Sequence, residues 1–337
     1  MEFNQSKVTL LTAAVLCTFG ASAHAQTSVT VSGLLETGVR YSTNQNAAGD
    51  HNITLGDGLI NPSRLAFSGT EDLGGGLKAI FKLEAGVRLS NGKTSGGDTD
   101  STLFGREAYV GLDGDFGKVT LGRQYTTGYV ATWGFDPIYG GGLVVFAPYF
   151  GEVGLRQNNM IRYEKSLGAF GIQSHYALGE VAGSAKSGSS FGIGGTYNNG
   201  GVGLTAAYQE TNDALNPVVN TEKTSIIGGS YAFDPVKLGL GYIHATNTST
   251  AQKDDVLVAS VVVSTGSPWT LKAVGYHRKQ KSADGKNSML VALADYALSK
   301  RTSLFLETDY NKYSDALVPA TGKDTNAGFT VGIRHSF

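Results

Sequence analysis

The chain has 337 residues with 27 basic and 28 acidic side chains, a near-neutral balance that argues against general electrostatic binding to nucleic acid. Glycine is abundant at 47 residues, proline is scarce at 7, and aromatic residues make up 10% of the chain. Without a collagen-like period, this composition is typical of many strands joined by tight turns.

The N-terminal segment has the organisation of a secretory signal peptide. Lys7 precedes the apolar run "VTLLTAAVLCTFGASA", and the motif "AHA" comes directly before Gln26. A basic segment, a short apolar segment and an A-x-A cleavage site are the parts of such a signal. A transmembrane anchor is the alternative, but the run is short and ends in small residues. We therefore predict a signal peptide at 1–25 and one mature domain at 26–337. The mature domain has no cysteine, because Cys17 lies in the signal, and hence no disulfide.

From residue 27 onward, apolar and polar side chains alternate with the period of a β-strand. In "LKAIFKLEAGVRLS", Leu77, Phe81 and Leu83 share one face, while Lys82 and Glu84 share the other. Such segments are long for a globular sheet and match the roughly ten residues that a tilted strand needs to cross a membrane. Sixteen of them are predicted, at 27–42, 60–71, 77–90, 102–113, 117–125, 157–166, 169–180, 188–199, 201–212, 222–233, 235–247, 253–264, 268–280, 285–298, 302–313 and 325–337.

The connections between these segments differ in length. The short ones include "NNGG" at 198–201, an Asn-Gly hairpin signal, and the turns at 233–237 and 298–302. The long, polar ones lie at 43–59, 91–101, 126–156, 213–221, 247–253 and 314–324. Short turns at one end and long loops at the other are typical of an outer-membrane barrel.

Alternation alone is equally compatible with a soluble sandwich or a β-solenoid, so other features have to decide. Tyrosine and phenylalanine recur near strand ends, as in an interfacial girdle, and an export signal is combined with an absence of disulfides. Charges also recur on the polar face in the middle of strands, at Lys82, Glu84, Arg106, Glu307 and Asp309. The predicted fold class is therefore all-β, a 16-stranded antiparallel transmembrane β-barrel.

The last segment, "AGFTVGIRHSF", alternates cleanly up to the terminal Phe337. In a closed barrel the last strand pairs with the first, so we expect it to form a ladder with "VTVSGLLETGVRY". An aromatic residue at the membrane interface is then expected at the end of the chain.

Several segments together resemble the general porins of Gram-negative outer membranes, of the beta- and gammaproteobacterial type. They are "SRLAFSGTEDLGGGLKAIFKLE", "GREAYVGLDGDFGKVTLGRQY", "IRYEKSLGAFGIQSHYAL", "YALSKRTSLFLETDYNKY" and "VGIRHSF", and the resemblance extends over the whole mature chain. It implies a trimeric diffusion pore in the outer membrane, whose third loop folds into the lumen as a constriction. The longest segment between strands, 126–156, is rich in glycine and aromatic residues and fits that role better than that of an outward surface loop.

The resemblance also implies a basic cluster on the barrel wall that faces acidic groups of the internal loop. The wall candidates are Arg64, Arg106, Arg156 and Lys82, and the loop candidates are Asp136 and Glu152, its two acids. If Arg106 points inward, the alternation of side chains along a strand directs its neighbour Glu107 outward. Arg123 is two residues from Leu121 and would lie on the same face of the strand. Its side chain could therefore face either the lumen or a subunit contact. The alternative for all of these residues is a solvated lumen charge without a special role.

The predicted function is passive diffusion of ions and small hydrophilic solutes through a water-filled channel. Four wall cations against two loop acids indicate a mild anion preference. A substrate-specific channel for sugars or organic acids is the alternative, followed by a barrel adhesin. An enzyme is disfavoured because no G-x-S-x-G, H-E-x-x-H or P-loop motif is present. No cofactor, metal or nucleic acid is predicted. The expected partners are a homotrimer, outer-membrane lipid and lipopolysaccharide, and the barrel-assembly machinery, which would read the final strand ending at Phe337.

Overall fold

The computed structural model describes residues 28–95, 102–139, 147–213 and 220–337, without the side chains of Phe150 and Glu152. The predicted signal peptide at 1–25 lies outside these residues and stays a prediction. No helix among the described residues is long and apolar enough to span a membrane.

The regular secondary structure of the described residues is almost entirely β-strand. Two short helices, α1 (Thr127–Thr132) and α2 (Phe150–Val153), and one 3-10 turn (Asp315–Leu317) are the exceptions. The strands are β1 (Ser28–Ser42), β2 (Asn52–Asp57), β3 (Arg64–Gly74), β4 (Leu77–Val87), β5 (Thr94–Ser95), β6 (Glu107–Gly114), β7 (Gly117–Tyr125), β8 (Arg156–Leu167), β9 (Phe170–Ala177), β10 (Ser190–Asn199), β11 (Val202–Asn212), β12 (Thr221–Phe233), β13 (Val236–Asn247), β14 (Lys253–Ser264), β15 (Trp269–Gln280), β16 (Gly285–Ala297), β17 (Thr302–Ser314) and β18 (Thr325–Ser336).

These strands close into one antiparallel barrel. Each long strand pairs with the next one along the chain, and β1 pairs with both β3 and β18. β2 and β5 are short additions that pair with β1 and β4. The other sixteen described strands make the wall, which confirms the predicted fold class. The predicted segments overlap these strands in order, with ends that differ by a few residues.

The two faces of the wall differ as a transmembrane barrel requires. In β18, Phe329, Val331 and Ile333 are 44–49% exposed on the outer face, whereas Thr330 between them is fully buried on the inner face. Hydrocarbon cannot pair with backbone groups, so the backbone is bonded within the closed sheet and the outer side chains are apolar. Burial is therefore inverted relative to a soluble domain, with many exposed aliphatic side chains outside and polar ones inside.

The seam between the first and last strands is closed down to the last residue. β1 and β18 are in register from Leu34 opposite Ser336 to Ser42 opposite Gly328. Beyond that register, the backbone groups of Gly33 and Phe337 exchange two hydrogen bonds of 3.0 and 3.1 Å. The ring of Phe337 occupies the space that a Cβ on Gly33 would take. The expected ladder between the first and last strands is present.

Inward ion pairs reinforce this seam. Arg40 on β1 donates to Glu307 (3.0 Å) and Asp309 (2.6 Å) on β17, and also to the Thr330 hydroxyl (3.2 Å). The side chains of the three charged residues are 0–6% exposed. The guanidinium therefore spans β18 and joins strands that lie at opposite ends of the sequence.

We expect Arg40→Met to destabilise the folded barrel by roughly 3 kcal/mol, because it leaves two buried carboxylates without their cation. The measurement is the unfolding midpoint in a denaturant titration followed by heat-modifiable gel migration. The triple variant Arg40→Met, Glu307→Gln, Asp309→Asn should recover much of the loss, since it removes the unpaired charges as well. Equal loss in the single and the triple variant would contradict the role given to the ion pairs.

Candidate functional site

The segment between β7 and β8, residues 126–155, is called loop L3 below, and its described parts, 126–139 and 147–155, fold into the barrel. Thr126 joins its two ends. The Thr126 hydroxyl accepts from Tyr129 N (3.1 Å), which caps α1, and donates to Gly154 O (2.7 Å). Thr126 N donates to Leu155 O (3.1 Å). The loop thus starts and ends at one point of the wall, in agreement with its predicted internal position.

Polar side chains of β9 and β11 hold the helical part of loop L3. Gln209 accepts from Gly128 N (3.0 Å) and donates to Val153 O (3.0 Å), so one amide group binds both arms of the loop. His175, which is 2% exposed, accepts from Thr127 N at Nδ1 (3.2 Å). These bonds satisfy loop backbone groups that are buried away from bulk water.

The middle of loop L3 packs on β12, β13 and β14. Phe135 is 2% exposed and lies over Gly228 and Gly241, where a Cβ would collide with its ring. Ser260 on β14 donates to Phe135 O (2.7 Å). Glycine at these wall positions makes the close approach of the ring sterically feasible.

Asp136 fixes the loop to β15. Its Oδ2 accepts from Tyr149 (2.5 Å) in the loop and from Tyr276 (2.9 Å) on the wall, and its Oδ1 accepts from Ile138 N (3.0 Å). Burial, together with the neighbouring Asp136 carboxylate, raises the pKa of Tyr149 well above its usual range. Its hydroxyl therefore stays protonated and donates to the carboxylate.

The predicted role of Asp136 is wrong in this respect: its carboxylate does not face the basic wall. Asp136 is 0% exposed and is enclosed by its two tyrosine partners. It is an anchor of the loop, not a group that lines the lumen. The second predicted loop acid, Glu152, belongs to α2, and its side chain lies outside the described residues.

The four predicted wall cations do come together. Glu84 on β4 lies between three of them, at 2.6 Å from Arg106 Nε, 3.0 Å from Lys82 Nζ and 4.0 Å from Arg64 Nε. Lys82 also pairs with Glu107. Arg64, Lys82, Arg106 and Arg156 are called the basic cluster below.

Tyr125, at the end of β7, connects the fourth cation to the others. Its hydroxyl accepts from Arg106 (2.7 Å) and from Arg156 (2.8 Å). The Arg156 guanidinium also lies over the Tyr125 ring, with Cζ 4.4 Å from the centroid, a cation–π geometry. The tyrosine therefore holds two like charges side by side.

The remaining two wall predictions have different outcomes. Glu107 was expected to point outward, but it pairs with Lys82 inside the barrel. The parity argument failed because it took Tyr109 as an outward residue, whereas Tyr109 is opposite the inward Lys82 and Val110 is 57% exposed on the outer face. Arg106 precedes β6, which begins at Glu107, and does not alternate with the strand. Arg123 alternates with the inward Gln124, which is 3% exposed, and donates to Gly105 O (2.7 Å) and Asn158 Oδ1 (2.6 Å). This places Arg123 on the outer face with Leu121.

Counted over the described side chains that contact one another here, the basic cluster has an excess of positive charge. Four cations and the two carboxylates Glu84 and Glu107 leave a net charge of +2 in this group. Among the three cations of the basic cluster that pair with Glu84, the Arg64 and Lys82 side chains are 31% and 27% exposed, whereas the Arg106 side chain is 7% exposed. They are therefore the groups that a passing solute meets.

Aromatic side chains form the exposed surface of loop L3. Trp133 and Tyr139 are 40% and 47% exposed, and their rings meet edge to face at 5.8 Å. Trp133 also contacts the ring of Tyr125, with centroids 5.7 Å apart, which places the aromatic surface next to the basic cluster. Below the loop, a cavity of about 650 Å³ continues to the short-turn end and is lined by residues such as Lys118, Glu164 and Thr196.

Sequence reasoning missed the connecting groups of this site. Tyr125 carries no charge, and its place at a strand end indicates an interfacial aromatic residue. The sequence around Trp133 and Tyr139 indicates only aromatic residues that pack within the loop. Glu84 was recognised as an inward charge, but its contacts depend on strand register, which alternation does not supply. Within the described residues, no group of three or more metal-ligating side chains is present.

Comparisons with known proteins identify the family. A family model for Gram-negative porins matches residues 12–316. The chain is 33% identical to outer membrane porin protein 32 of Delftia acidovorans, over 98% of this chain and 100% of that protein. The chain belongs to the Gram-negative porin family.

Solved structures agree with this assignment. An anion-selective porin from Comamonas acidovorans has a TM-score of 0.82 and 28% identity, covering 93% of this chain and 100% of that one. The trimer form of OmpT from Vibrio cholerae has a TM-score of 0.69 at 16% identity, covering 92% and 99%, which shows the shared fold. The porin is thus an outer-membrane protein of a Gram-negative bacterium, and its barrel encloses a passive channel.

We expect Asp136→Ala to loosen loop L3, because the Tyr149 and Tyr276 hydroxyls lose their buried acceptor at a cost of about 1–3 kcal/mol. The measurements are open-channel current noise and the rate of proteolytic cleavage within residues 126–155, both of which should rise. The matched control is Asp50→Ala, which removes an exposed loop acid bonded to Asn46. Equal noise and cleavage in the two variants would show that Asp136 does not anchor the loop.

Proposed function

We propose that this porin mediates passive diffusion of ions and small hydrophilic solutes and mildly prefers anions. The observation that carries the anion preference is the net charge of +2 in the basic cluster, together with the exposure of Arg64 and Lys82. Fixed charges at a narrow, water-filled waist select ions by sign. The structural neighbour from Comamonas acidovorans is described as anion-selective, which supports the same sign for this chain.

The preference is supported by the described side chains of loop L3, which include no exposed carboxylate. A free loop carboxylate would offset the positive wall and attract cations. Asp136 is fully buried and bonded to Tyr149 and Tyr276, so its charge is held at the wall of β15. Among the described side chains of loop L3, exposed aromatic rings are what the solute meets.

Those aromatic rings support a second candidate, a preference for organic acids. An exposed Trp133 next to a tyrosine-bridged pair of arginines offers a flat apolar surface and a positive charge within one group. An aromatic carboxylate matches both features, through ring stacking and through charge. Sugars would find the aromatic surface but would gain nothing from the charge.

Three further assignments are part of the proposal. The mature chain starts after a signal peptide at 1–25, and it works as a channel and not as an enzyme or an adhesin, as the porin relatives support. It assembles as a homotrimer, in which the apolar outer surface around β1, β2 and β18 would be covered by a second copy. It contacts outer-membrane lipid and lipopolysaccharide, and the barrel-assembly machinery reads the last strand at Phe337.

We expect Arg64→Gln with Lys82→Gln to reduce the anion-to-cation permeability ratio severalfold, because the net charge of the cluster falls from +2 to 0. The measurement is the zero-current potential in a planar bilayer with a salt gradient. The control is Lys300→Gln with Arg301→Gln, which removes two cations from the short turn between β16 and β17. A cation-favouring potential in the unmodified porin would overturn the proposed preference.

For the organic-acid candidate, we expect benzoate to block chloride current in a saturable manner. Trp133→Ala should weaken this block by about fivefold, since stacking on an aromatic side chain contributes on the order of 1 kcal/mol. The control is Trp269→Ala, which removes an exposed tryptophan from β15 outside the lumen. Ohmic current without any block by benzoate would leave only the general diffusion channel.

A further inference from the structure

A short segment interrupts the wall next to β1. Both β2 and β3 pair with the same edge of β1, the edge that does not face β18. Thr37 is opposite Asp57 in the pairing with β2, and Leu34 is opposite Arg64 in the pairing with β3. The paired residue numbers thus add up to 94 with β2 and to 98 with β3, so four extra residues lie between the two strands. These residues, Leu59–Pro62, are called the inner bulge below.

The inner bulge projects into the barrel. Gly58 N donates to Glu36 O (2.9 Å) and so continues the pairing with β1. The chain then turns away from the wall with Gly58 at a φ of +53°, a left-handed conformation that favours glycine. Leu59 and Ile60 are 0% and 2% exposed, whereas an outward apolar residue of the same wall such as Leu55 is 58% exposed. Their burial places both side chains on the inner face.

The inner bulge is connected to the basic cluster through Arg64. Because side chains alternate along a strand, one extra residue would turn all of β3 over, whereas four extra residues keep its faces as they are. Arg64 therefore faces the lumen directly after the bulge, and its Nη1 donates to Pro62 O (3.2 Å). The position of the bulge and the position of this exposed cation depend on each other.

Glu36 on β1 holds the inner bulge in place. Its Oε1 accepts from Ile60 N (2.6 Å) and Asn61 N (2.9 Å), and its Oε2 accepts from Arg334 Nε (2.7 Å). Its backbone N donates to the Ser63 hydroxyl (2.8 Å), which donates to Glu36 O (3.0 Å). The side chain is 0% exposed. One residue thus satisfies the buried backbone N–H groups of the bulge and fixes its C-terminal end.

The inner bulge lies beyond the strands that hold loop L3. The described hydrogen bonds between loop L3 and the wall extend from His175 on β9 to Tyr276 on β15. The basic cluster lies on the part of the wall from β3 to β8. Between these two parts, the apolar side chains of the bulge belong to one buried cluster with Leu293 on β16 and Phe305 on β17. The bulge therefore fills lumen space beside β16 and β17.

We propose that the inner bulge is a second constriction element of the channel and that Glu36 is its positioning residue. The bulge closes the lumen beside β16 and β17 and confines solutes to the side of the basic cluster, where Arg64 and Lys82 are partly exposed. Selectivity then depends on the bulge, because ions that passed beside β16 and β17 would be farther from the fixed charges, which water and salt screen. This inference rests on the proposed diffusion of small hydrophilic solutes.

The direct test is a deletion of Leu59–Pro62, which joins Gly58 to Ser63 and allows β2 to continue into β3 in one register with β1. We expect the single-channel conductance to rise about twofold, because ion flow grows with the cross-section of a water-filled waist. Neutral polyethylene glycols that the unmodified porin excludes should enter and reduce the current. The anion-to-cation permeability ratio should fall about twofold, although the deletion removes no charged residue.

The matched control is a deletion of Ala182–Ala185, also four residues, from the loop between β9 and β10. Its conductance, polymer exclusion and permeability ratio should equal those of the unmodified porin. Heat-modifiable gel migration shows whether each variant is folded. A folded bulge deletion that matches this control in conductance and polymer exclusion would overturn the second constriction element.

Point variants test Glu36 without shortening the chain. Glu36→Ala removes the acceptor of the Ile60 and Asn61 N–H groups, whereas Glu36→Gln keeps an oxygen that can accept from them. The matched control is Asp295→Ala, because Arg334 donates to this carboxylate (3.0 Å) as well as to that of Glu36 (2.7 Å). Each of the three variants removes one negative charge from the lumen side of the wall.

The sign of the change in selectivity separates positioning from charge. Loss of a lumen carboxylate by itself favours anions, so Asp295→Ala and Glu36→Gln should not lower the anion-to-cation permeability ratio. Glu36→Ala should lower it, because the bulge is released and ions pass beside β16 and β17. An equal rise in Glu36→Ala and Asp295→Ala would refute the positioning role, and this comparison decides the question if the bulge deletion does not fold.

The zero-current potential of the unmodified porin tests the proposed function separately. A cation-favouring potential would overturn the anion preference, but a rise in conductance on deletion of the bulge would still support the second constriction element. Conversely, the proposed function would stand and the inner bulge would fail as a constriction element if an anion-favouring porin kept its conductance, polymer exclusion and selectivity in both the deletion and Glu36→Ala.

Discussion

The structure depends on one constraint, that a sheet in hydrocarbon must pair all of its backbone groups within the protein. For this chain the constraint requires β1 to pair with β18, although almost the whole sequence separates the two strands. Backbone bonds alone leave that seam no stronger than any other pair of strands. The buried contacts of Arg40 with Glu307 and Asp309 reach across β18 to β17 and tie three strands together. The terminal aromatic ring over Gly33 closes the last position.

Closure creates a second problem, because a ring of sixteen strands encloses more space than inward side chains fill. Loop L3 fills part of this space and brings with it the apolar packing that a soluble domain has at its centre. Phe135, Ile138 and Tyr149 are at most 2% exposed and belong to one buried cluster with wall residues of β12 to β17. The position of the waist is therefore set by ordinary core packing between a loop and a wall that carries glycine where the loop comes closest.

Much of this could be predicted from sequence, and the remainder could not, for identifiable physical reasons. Strand number, order and most outward faces follow from a period of two, which the closed sheet keeps except at irregularities such as the register shift between Gly122 and Gln124. The prediction for Arg106 reached the right face by a wrong argument, because the residue lies just before β6, where the alternation does not apply. Tyr125 was missed because its role as a bridge between Arg106 and Arg156 depends on the register of β7 and β8. Register is a property of two paired strands, and the sequence of either strand alone does not determine it.

The case of Asp136 shows why residue type alone does not assign a role at a charged waist. An acid in an internal loop can face the solvent and contribute to the field, or it can bind the loop to the wall, and both need a carboxylate at the same place in the sequence. Two buried tyrosine hydroxyls decide between them, since both donate to the Asp136 carboxylate. The choice has a functional consequence. A carboxylate used for anchoring is held away from the solute, so among the described side chains the carboxylates that contact the basic cluster are Glu84 and Glu107.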